Sequence, residues 1–155
     1  DRVIGGWTQY LDYRVVESGE LGADLCGAWD TPATAGQRYA VLAPASGQDS
    51  WLRFIETGDS GGYGPPMTFG WNATELLVQD VDELARRLRG SPFTILGGPA
   101  DLYPRPRAPR AMQVVGPAGE LVYFTRILPG GSRYGLHGAQ SPVDRPFIVT
   151  VGGPS

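Results

Sequence analysis

Three polar side chains stand inside apolar stretches whose residue types favour β-strands: Arg53, Glu75 and Tyr123. A guanidinium binds a carboxylate or an enolate oxygen, and a phenol donates a hydrogen bond. A carboxylate whose pKa is raised by burial acts as a base. Alternate residues of a strand share a face, so Trp51 lies with Arg53. If these faces meet, they line a mostly apolar pocket that suits a small organic ligand. Glu75 is then the candidate catalytic base.

The same residues have a second interpretation that involves no ligand. Arg53 and Glu75 have opposite charges, and they can form an internal ion pair that closes the sheet. The sequence leaves both interpretations open.

The chain's one histidine is a further candidate catalytic residue. His137 follows Tyr134 in a glycine-rich segment, and such a segment can fold over the mouth of a pocket as a lid. In that arrangement His137 is a general base and Tyr134 contacts the ligand. The alternative is a histidine exposed on a surface loop.

The stretch from Phe69 to Ile127 predicts the elements that position these side chains. Its pattern indicates a strand, a helix and three further strands. Asp80 has the type and position of a helix N-cap, with Glu83 three residues later, and Gly90 ends the helix. The last two strands are expected over 111–116 and 120–127, joined by a tight Gly-Pro-Ala-Gly turn.

A sequence echo indicates that the first half repeats this plan. Val41–Gly47 followed by Trp51–Ile55 is similar to Val114–Gly119 followed by Leu121–Thr125. Upstream we expect an arm over 1–6, a strand over 8–16 and a helix from Ser18 to about Trp29. The predicted fold class is α+β, with two tandem βαββ(β) modules whose sheets pair into one curved, mostly antiparallel sheet around a cavity.

The resulting domain boundaries are approximate. One domain covers 1–140, with a first module at about 7–58, a linker at 59–67, a second module at about 68–128 and a tail loop at 129–140. Residues 141–155 add a strand that completes a sheet, forms a dimer seam or opens a further module of a longer protein.

Composition limits the partners of this chain. It has 155 residues, 41% of them hydrophobic and 19% charged, which is ordinary for a globular protein. The formal net charge of −3 disfavours a nucleic-acid partner. No stretch approaches the roughly 20 apolar residues that span a bilayer, and no leader is apparent. We therefore expect a cytoplasmic protein without a membrane partner, and a homodimer is left open.

Two motifs of the second half resemble those of the vicinal-oxygen-chelate superfamily, which includes glyoxalase I, bleomycin-resistance proteins and extradiol dioxygenases. Leu76–Leu84 (LLVQDVDEL) is similar to the superfamily's strand-to-helix signature, and Gly116–Phe124 (GPAGELVYF) is similar to its closing hairpin. The resemblance implies the fold of this superfamily. The first half matches it only in outline.

The resemblance also implies where a metal ion would be held. Metal-dependent members place His or Glu early in the first strand of each module and Glu late in the last strand. These positions fall at Ala73 or Glu75 and at Tyr123 in the second module, and near Gln9 or Leu11 and at Arg53 in the first. A divalent ion needs several carboxylate or imidazole ligands, so we expect neither a metal ion nor another cofactor. Gln9 remains a candidate ligand-binding residue.

The resemblance therefore predicts a metal-independent protein that binds a small organic ligand between its modules, as bleomycin-resistance proteins do. Two alternatives remain from the sequence. One is a lyase or isomerase with a carboxylate base, and the other is a non-catalytic domain of a longer tandem protein.

Overall fold

The computed structural model describes residues 2–58, 67, 70–129 and 136–153. The α-helices are α1 (Arg2–Tyr10), α2 (Ala23–Ala28) and α3 (Val81–Arg87), with a short 3-10 helix at Pro32–Thr34. The strands are β1 (Tyr13–Glu20), β2 (Arg38–Pro44), β3 (Leu52–Ile55), β4 (Gly70–Val78), β5 (Thr94–Asp101), β6 (Arg110–Val115), β7 (Leu121–Arg126) and β8 (Val143–Gly152). Over these residues, every helix is too short and too polar to cross a lipid bilayer.

The fold class is α+β, as the sequence predicts, and the strands form two sheets. The first has the order β1-β2-β3, and the second has the order β5-β6-β7-β4-β8. In the second sheet β4 runs parallel to β7, and the other pairings are antiparallel. The β4-α3-β5-β6-β7 order confirms the predicted strand, helix and three strands.

The two halves share a hairpin but differ in how their first strand pairs. The echoed segments form antiparallel hairpins, β2 with β3 and β6 with β7. In the first half β1 pairs with β2, which is the first strand of its hairpin. In the second half β4 pairs with β7, which is the last strand of its hairpin. The strands form two sheets rather than the one curved sheet that the sequence predicts. Strand β8 completes the second sheet by pairing with β4.

Helix α3 begins and ends as its sequence predicts. The Asp80 side chain accepts a hydrogen bond from the backbone N–H of Glu83 at 3.0 Å. Val81 and Leu84 are buried against the sheet. Gly90 has φ 74°, the left-handed conformation that commonly follows a helix end.

The first 30 residues differ from the prediction. Residues 2–10 form a helix rather than an arm and a strand, and β1 begins only at Tyr13. The strand continues to Glu20, so the helix expected from Ser18 is shortened to Ala23–Ala28. The pairing of Gly19 with Tyr39 explains part of this change, because hydrogen bonds to β2 hold this weak helix former in an extended conformation.

A hydrophobic core of the described residues joins side chains of both sheets, and it includes Trp7 of α1. The indole ring contacts Tyr13, Phe54 and Phe93, at centroid distances of 5.2, 5.1 and 6.3 Å. Its Nε1–H donates to a Glu120 carboxylate oxygen at 2.8 Å. Trp7 therefore connects α1 with both sheets.

A buried carboxylate makes a second connection between the sheets. Asp144 of β8 is fully buried, and its carboxylate accepts hydrogen bonds from the Ser46 hydroxyl at 2.6 Å and from the Gln140 backbone N–H at 2.7 Å. The Tyr13 hydroxyl donates to the Asp144 backbone oxygen at 2.7 Å. Burial, and secondarily the charge of Asp144, raises the pKa of Tyr13 well above its ordinary value, so this phenol keeps its proton.

Candidate functional site

Three polar side chains lie side by side across the middle of the five-stranded sheet. Glu75 of β4 pairs with Tyr123 of β7, which in turn pairs with Gln113 of β6. Paired residues of neighbouring strands project from the same face. Leu76 and Phe124, one residue further along, lie on the opposite face in the core. All three polar side chains are half-buried.

Hydrogen bonds hold these groups in place. The Gln113 Nε2 donates to the Tyr123 hydroxyl oxygen at 2.6 Å. The Thr125 hydroxyl donates to Glu75 Oε1 at 2.5 Å, and Thr125 as a residue is 1% exposed. We call Glu75, Gln113, Tyr123 and Thr125 the polar row. It offers a carboxylate and a phenol on adjacent strands, each fixed by a neighbour.

A small pocket of about 180 Å³ lies at the start of β4 and β7, near the polar row but not lined by it. Its lining includes Ala73 and Leu121, which pair with each other and precede Glu75 and Tyr123 by two residues on the same face. The volume is below the 300–1,000 Å³ typical of drug-sized ligands. Such a pocket can therefore hold one apolar end of a ligand whose polar end lies at the row.

The structure brings Glu75 and Tyr123 together but places Arg53 elsewhere. Arg53 is exposed on β3, in the other sheet, where its guanidinium lies over the rings of Trp29 and Tyr39 at 5.3 and 5.1 Å. The expectation that Arg53 and Tyr123 line the same pocket is therefore corrected: Arg53 contacts Trp29 and Tyr39 instead. Among the described residues, Arg53 and Glu75 also do not form the ion pair that the second interpretation predicts. The reason is that β3 pairs only with β2, in a separate sheet.

The other predicted site residues are dispersed. Trp51 is 58% exposed just before β3, and Gln9 is exposed on α1. His137 is exposed in a segment whose Ala139 oxygen accepts a hydrogen bond from the Gln79 side chain, beyond the end of β4. Tyr134 lies outside the described residues, so its predicted role at a lid stays a prediction.

Sequence reasoning missed Gln113 and Thr125 as members of the site. The hairpin turn contained a usable signal for Gln113. The Gly116 N–H bonds to the Glu120 oxygen at 2.8 Å, and this turn closure sets the register that puts Gln113 opposite Tyr123. Thr125 follows from alternation, since it lies two residues after Tyr123 on the same face.

The positions that the resemblance assigns to metal ligands hold few of the side chains that a divalent ion prefers. Within the described ranges, no three His, Cys, Asp or Glu side chains come close enough to hold one. Glu75 has a threonine and a tyrosine beside it rather than further carboxylates, and Gln113 lies one strand beyond the tyrosine. In the first half Leu11 is fully buried and Arg53 carries a positive charge.

Comparison with known proteins identifies the fold. No family model and no curated protein matches the chain significantly. Solved structures do match. One is a mutant of glyoxalase I from Zea mays, with a TM-score of 0.57 and 14% sequence identity, and the match covers 83% of this chain and 41% of the mutant enzyme. A second is a glyoxalase family protein from Bacillus cereus, with a TM-score of 0.56 and 15% identity; this match covers 76% of this chain and 80% of that protein. A third is a protein named UcmS2, with a TM-score of 0.54 and 15% identity; this match covers 81% of this chain and 87% of that protein. The chain spans less than half of the maize enzyme but most of the other two, and it has a glyoxalase-like fold.

Proposed function

We propose that this glyoxalase-like protein binds a small organic ligand at the polar row. The observation that carries the proposal is the register that aligns Glu75, Tyr123 and Gln113 across three adjacent strands. Small-molecule sites place a few convergent polar groups beside apolar surface, and the adjacent 180 Å³ pocket supplies such surface.

The hydrogen bonds of the polar row define what the ligand must offer. The Tyr123 oxygen accepts from Gln113, so its own O–H is available to donate to a ligand oxygen. Thr125 occupies Oε1 of Glu75, and Oε2 bonds to no other described residue. A suitable ligand therefore has an acceptor oxygen for Tyr123 and an N–H or O–H donor for Glu75. Binding without turnover is the role of the bleomycin-resistance proteins that the sequence resembles.

The proposal includes independence from a metal ion. Tyrosine, threonine and glutamine oxygens are weak substitutes for the carboxylate and imidazole ligands of a divalent site. Elemental analysis of the purified protein tests this part directly. A stoichiometric divalent ion that survives dialysis against a chelator would contradict it. A cytoplasmic location and a homodimer stay predictions from the sequence.

Proton transfer is a second candidate function, favoured by the pairing of a carboxylate with a phenol. Glu75 would take a proton from a carbon next to a carbonyl, while Tyr123 donates a hydrogen bond to the enolate oxygen. Return of the same proton to another carbon gives an isomerase and balances the reaction. Arg53 has no role in this mechanism, because it lies on the other sheet with its guanidinium over the Trp29 and Tyr39 rings.

A thermal-shift screen of metabolites and natural-product antibiotics tests the binding proposal, since a specific ligand raises the melting temperature. For a hit, we expect Tyr123→Phe to weaken binding by about three- to tenfold, the worth of one hydrogen bond. Tyr39→Phe is the matched control, because Tyr39 lies on the other sheet and bonds to Glu17. Equal affinities of the Tyr123→Phe variant and the native protein would refute the site.

Glu75→Gln separates the two candidate functions. The amide keeps the size of the side chain and a hydrogen-bonding oxygen but cannot act as a base. An isomerase or lyase loses turnover in this variant while it still binds its ligand. A binding protein shows no turnover in either form, and only its affinity changes.

A further inference from the structure

A second and larger cavity, of about 570 Å³, lies between α1, the three-stranded sheet and the turn that joins β6 to β7. Its volume is within the range of small-molecule sites. None of the four residues of the polar row lines it. It is therefore distinct from the polar row itself, although Ala118 lines both this cavity and the 180 Å³ pocket near the row.

The inner wall of this cavity is apolar and held in position by the core. Val3 and Ile4 come from α1, and Ala40 and Phe54 come from the sheet. Phe54 is fixed by its ring contact with Trp7 at a centroid distance of 5.1 Å. These side chains offer surface to the hydrophobic part of a ligand.

The rim of the cavity is charged, and its charges do not cancel. Arg38 donates two hydrogen bonds to Glu56, at 2.7 and 3.1 Å, and these bonds lower the pKa of the Glu56 carboxyl below its ordinary value. Glu20 pairs with Arg38 across the β1–β2 ladder, yet within the described residues its carboxylate accepts no hydrogen bond. The two carboxylates and one guanidinium of the lining leave one negative charge.

We propose that this cavity binds a small organic cation, an amine whose apolar body packs against Ile4 and Phe54 and whose ammonium group lies beside Glu20. The guanidinium of Arg38 is occupied by both oxygens of Glu56, so it is poorly placed to attract an anion. Among the described residues of the lining, the carboxylate of Glu20 is the one charged group without a hydrogen-bonded partner. Charge and shape thus favour the same class of ligand.

A pair of probes that differ in charge tests the proposal: 1-naphthylmethylammonium and 1-naphthoate. Each is titrated into the ¹⁵N-labelled protein, and amide shifts are followed by NMR. We expect the ammonium probe to move the amides of Gly19 and Ala40 and to bind at least about fivefold more tightly than the carboxylate. Tighter or equal binding of 1-naphthoate overturns the proposal.

Two variants locate the ammonium probe. Glu20→Gln should weaken its binding about two- to fivefold, because the ion pair is exposed to solvent, and should not weaken binding of 1-naphthoate. Ser18→Trp fills the cavity from the exposed edge strand β1 and should weaken both probes by about tenfold or more, and Ser18 does not line the 180 Å³ pocket. The matched control is Val16→Trp, which is exposed on the same strand and outside the cavity lining.

The outcomes also separate this cavity from the polar row. Tyr123→Phe should leave the affinity of the ammonium probe unchanged. Amide shifts confined to Glu75, Tyr123 and their neighbours would refute the cavity proposal, as would unchanged binding in the Glu20→Gln and Ser18→Trp variants. Failure of the metabolite screen at the polar row has no bearing on this result.

Discussion

Trp7 shows how one side chain can position several elements. Its ring contacts residues of β1 and β3 and the residue before β5, while its N–H bonds to Glu120 in the turn before β7. Only 2% of its surface is exposed. Large buried aromatic side chains contribute most of the energy of small cores, and here the same residue also sets the position of α1 over both sheets.

We expect Trp7→Phe to lower the free energy of unfolding by about 1–3 kcal/mol. The substitution removes the hydrogen bond to Glu120 and leaves part of the indole volume empty. Urea denaturation followed by circular dichroism measures the change. Trp51→Phe is the control, because Trp51 is 58% exposed, and it should alter stability by less than about 0.5 kcal/mol. Similar small changes in both variants would contradict the role given to Trp7.

The sequence predicts which residues of one strand share a face, but it does not predict which distant strands pair with each other. Alternation predicts which residues share a face, and Glu75 and Tyr123 do project from the same face of one sheet. The position of Arg53 depends on whether β3 joins that sheet, and no local pattern encodes such a pairing. The sequence therefore indicated half of the polar row and added Arg53 incorrectly.

The first helix is the element that the sequence concealed most. Val3, Ile4, Trp7 and Leu11 have the spacing of an amphipathic helix. Adjacent glycines and β-branched residues hide this period, because both have low helix propensity. Packing explains why a glycine is suitable there: a Cβ at Gly6 would lie 3.2–3.3 Å from side-chain atoms of Pro92, Phe93 and Pro117.

The two neighbouring glycines of α1 should respond differently to the same substitution. Gly6→Val forces its side chain into this close contact and should lower the free energy of unfolding by about 1–3 kcal/mol. Gly5 is exposed, and a Cβ added there would meet no neighbouring side chain within 4 Å, so Gly5→Val should change stability by less than about 0.5 kcal/mol. Thermal denaturation of both variants checks the difference. Equal changes in the two variants would contradict the role given to packing at Gly6.

Elements with strong local signals were predicted well. The N-cap at Asp80 and the glycine turn of the β6–β7 hairpin each form as expected. The helix expected from Ser18 failed because its first residues pair with β2 instead. Tertiary pairing overrides weak local preference, and Gly19 and Gly22 made that preference weak.

At the scale of the whole molecule, the buried carboxylate of Asp144 joins the two sheets. The Ser46 hydroxyl reaches it from the β2–β3 turn, and the Tyr13 hydroxyl bonds to the backbone of the same residue. A fully buried charge is costly unless hydrogen bonds satisfy it. These contacts therefore favour one relative placement of the sheets.

Ser46→Ala removes one of these donors and should cost about 1–3 kcal/mol of stability, because a buried carboxylate oxygen loses its partner. Ser50→Ala is the matched control in the same turn, since the Ser50 side chain forms no hydrogen bond with a described residue. Urea unfolding midpoints of the two variants make the comparison. If Ser46→Ala is as stable as Ser50→Ala, the link between the sheets lies elsewhere.

The central place of β4 has a consequence for synthesis of the protein. This strand lies between β7 and β8, and both follow it in the chain. While the ribosome adds the residues before Leu121, each edge of Gly70–Val78 lacks its eventual neighbour, and one edge waits until Val143–Gly152 has emerged. Open strand edges on nascent chains invite pairing with other molecules. Among the described strands, the one that carries Glu75 thus waits longest for its second neighbour during synthesis.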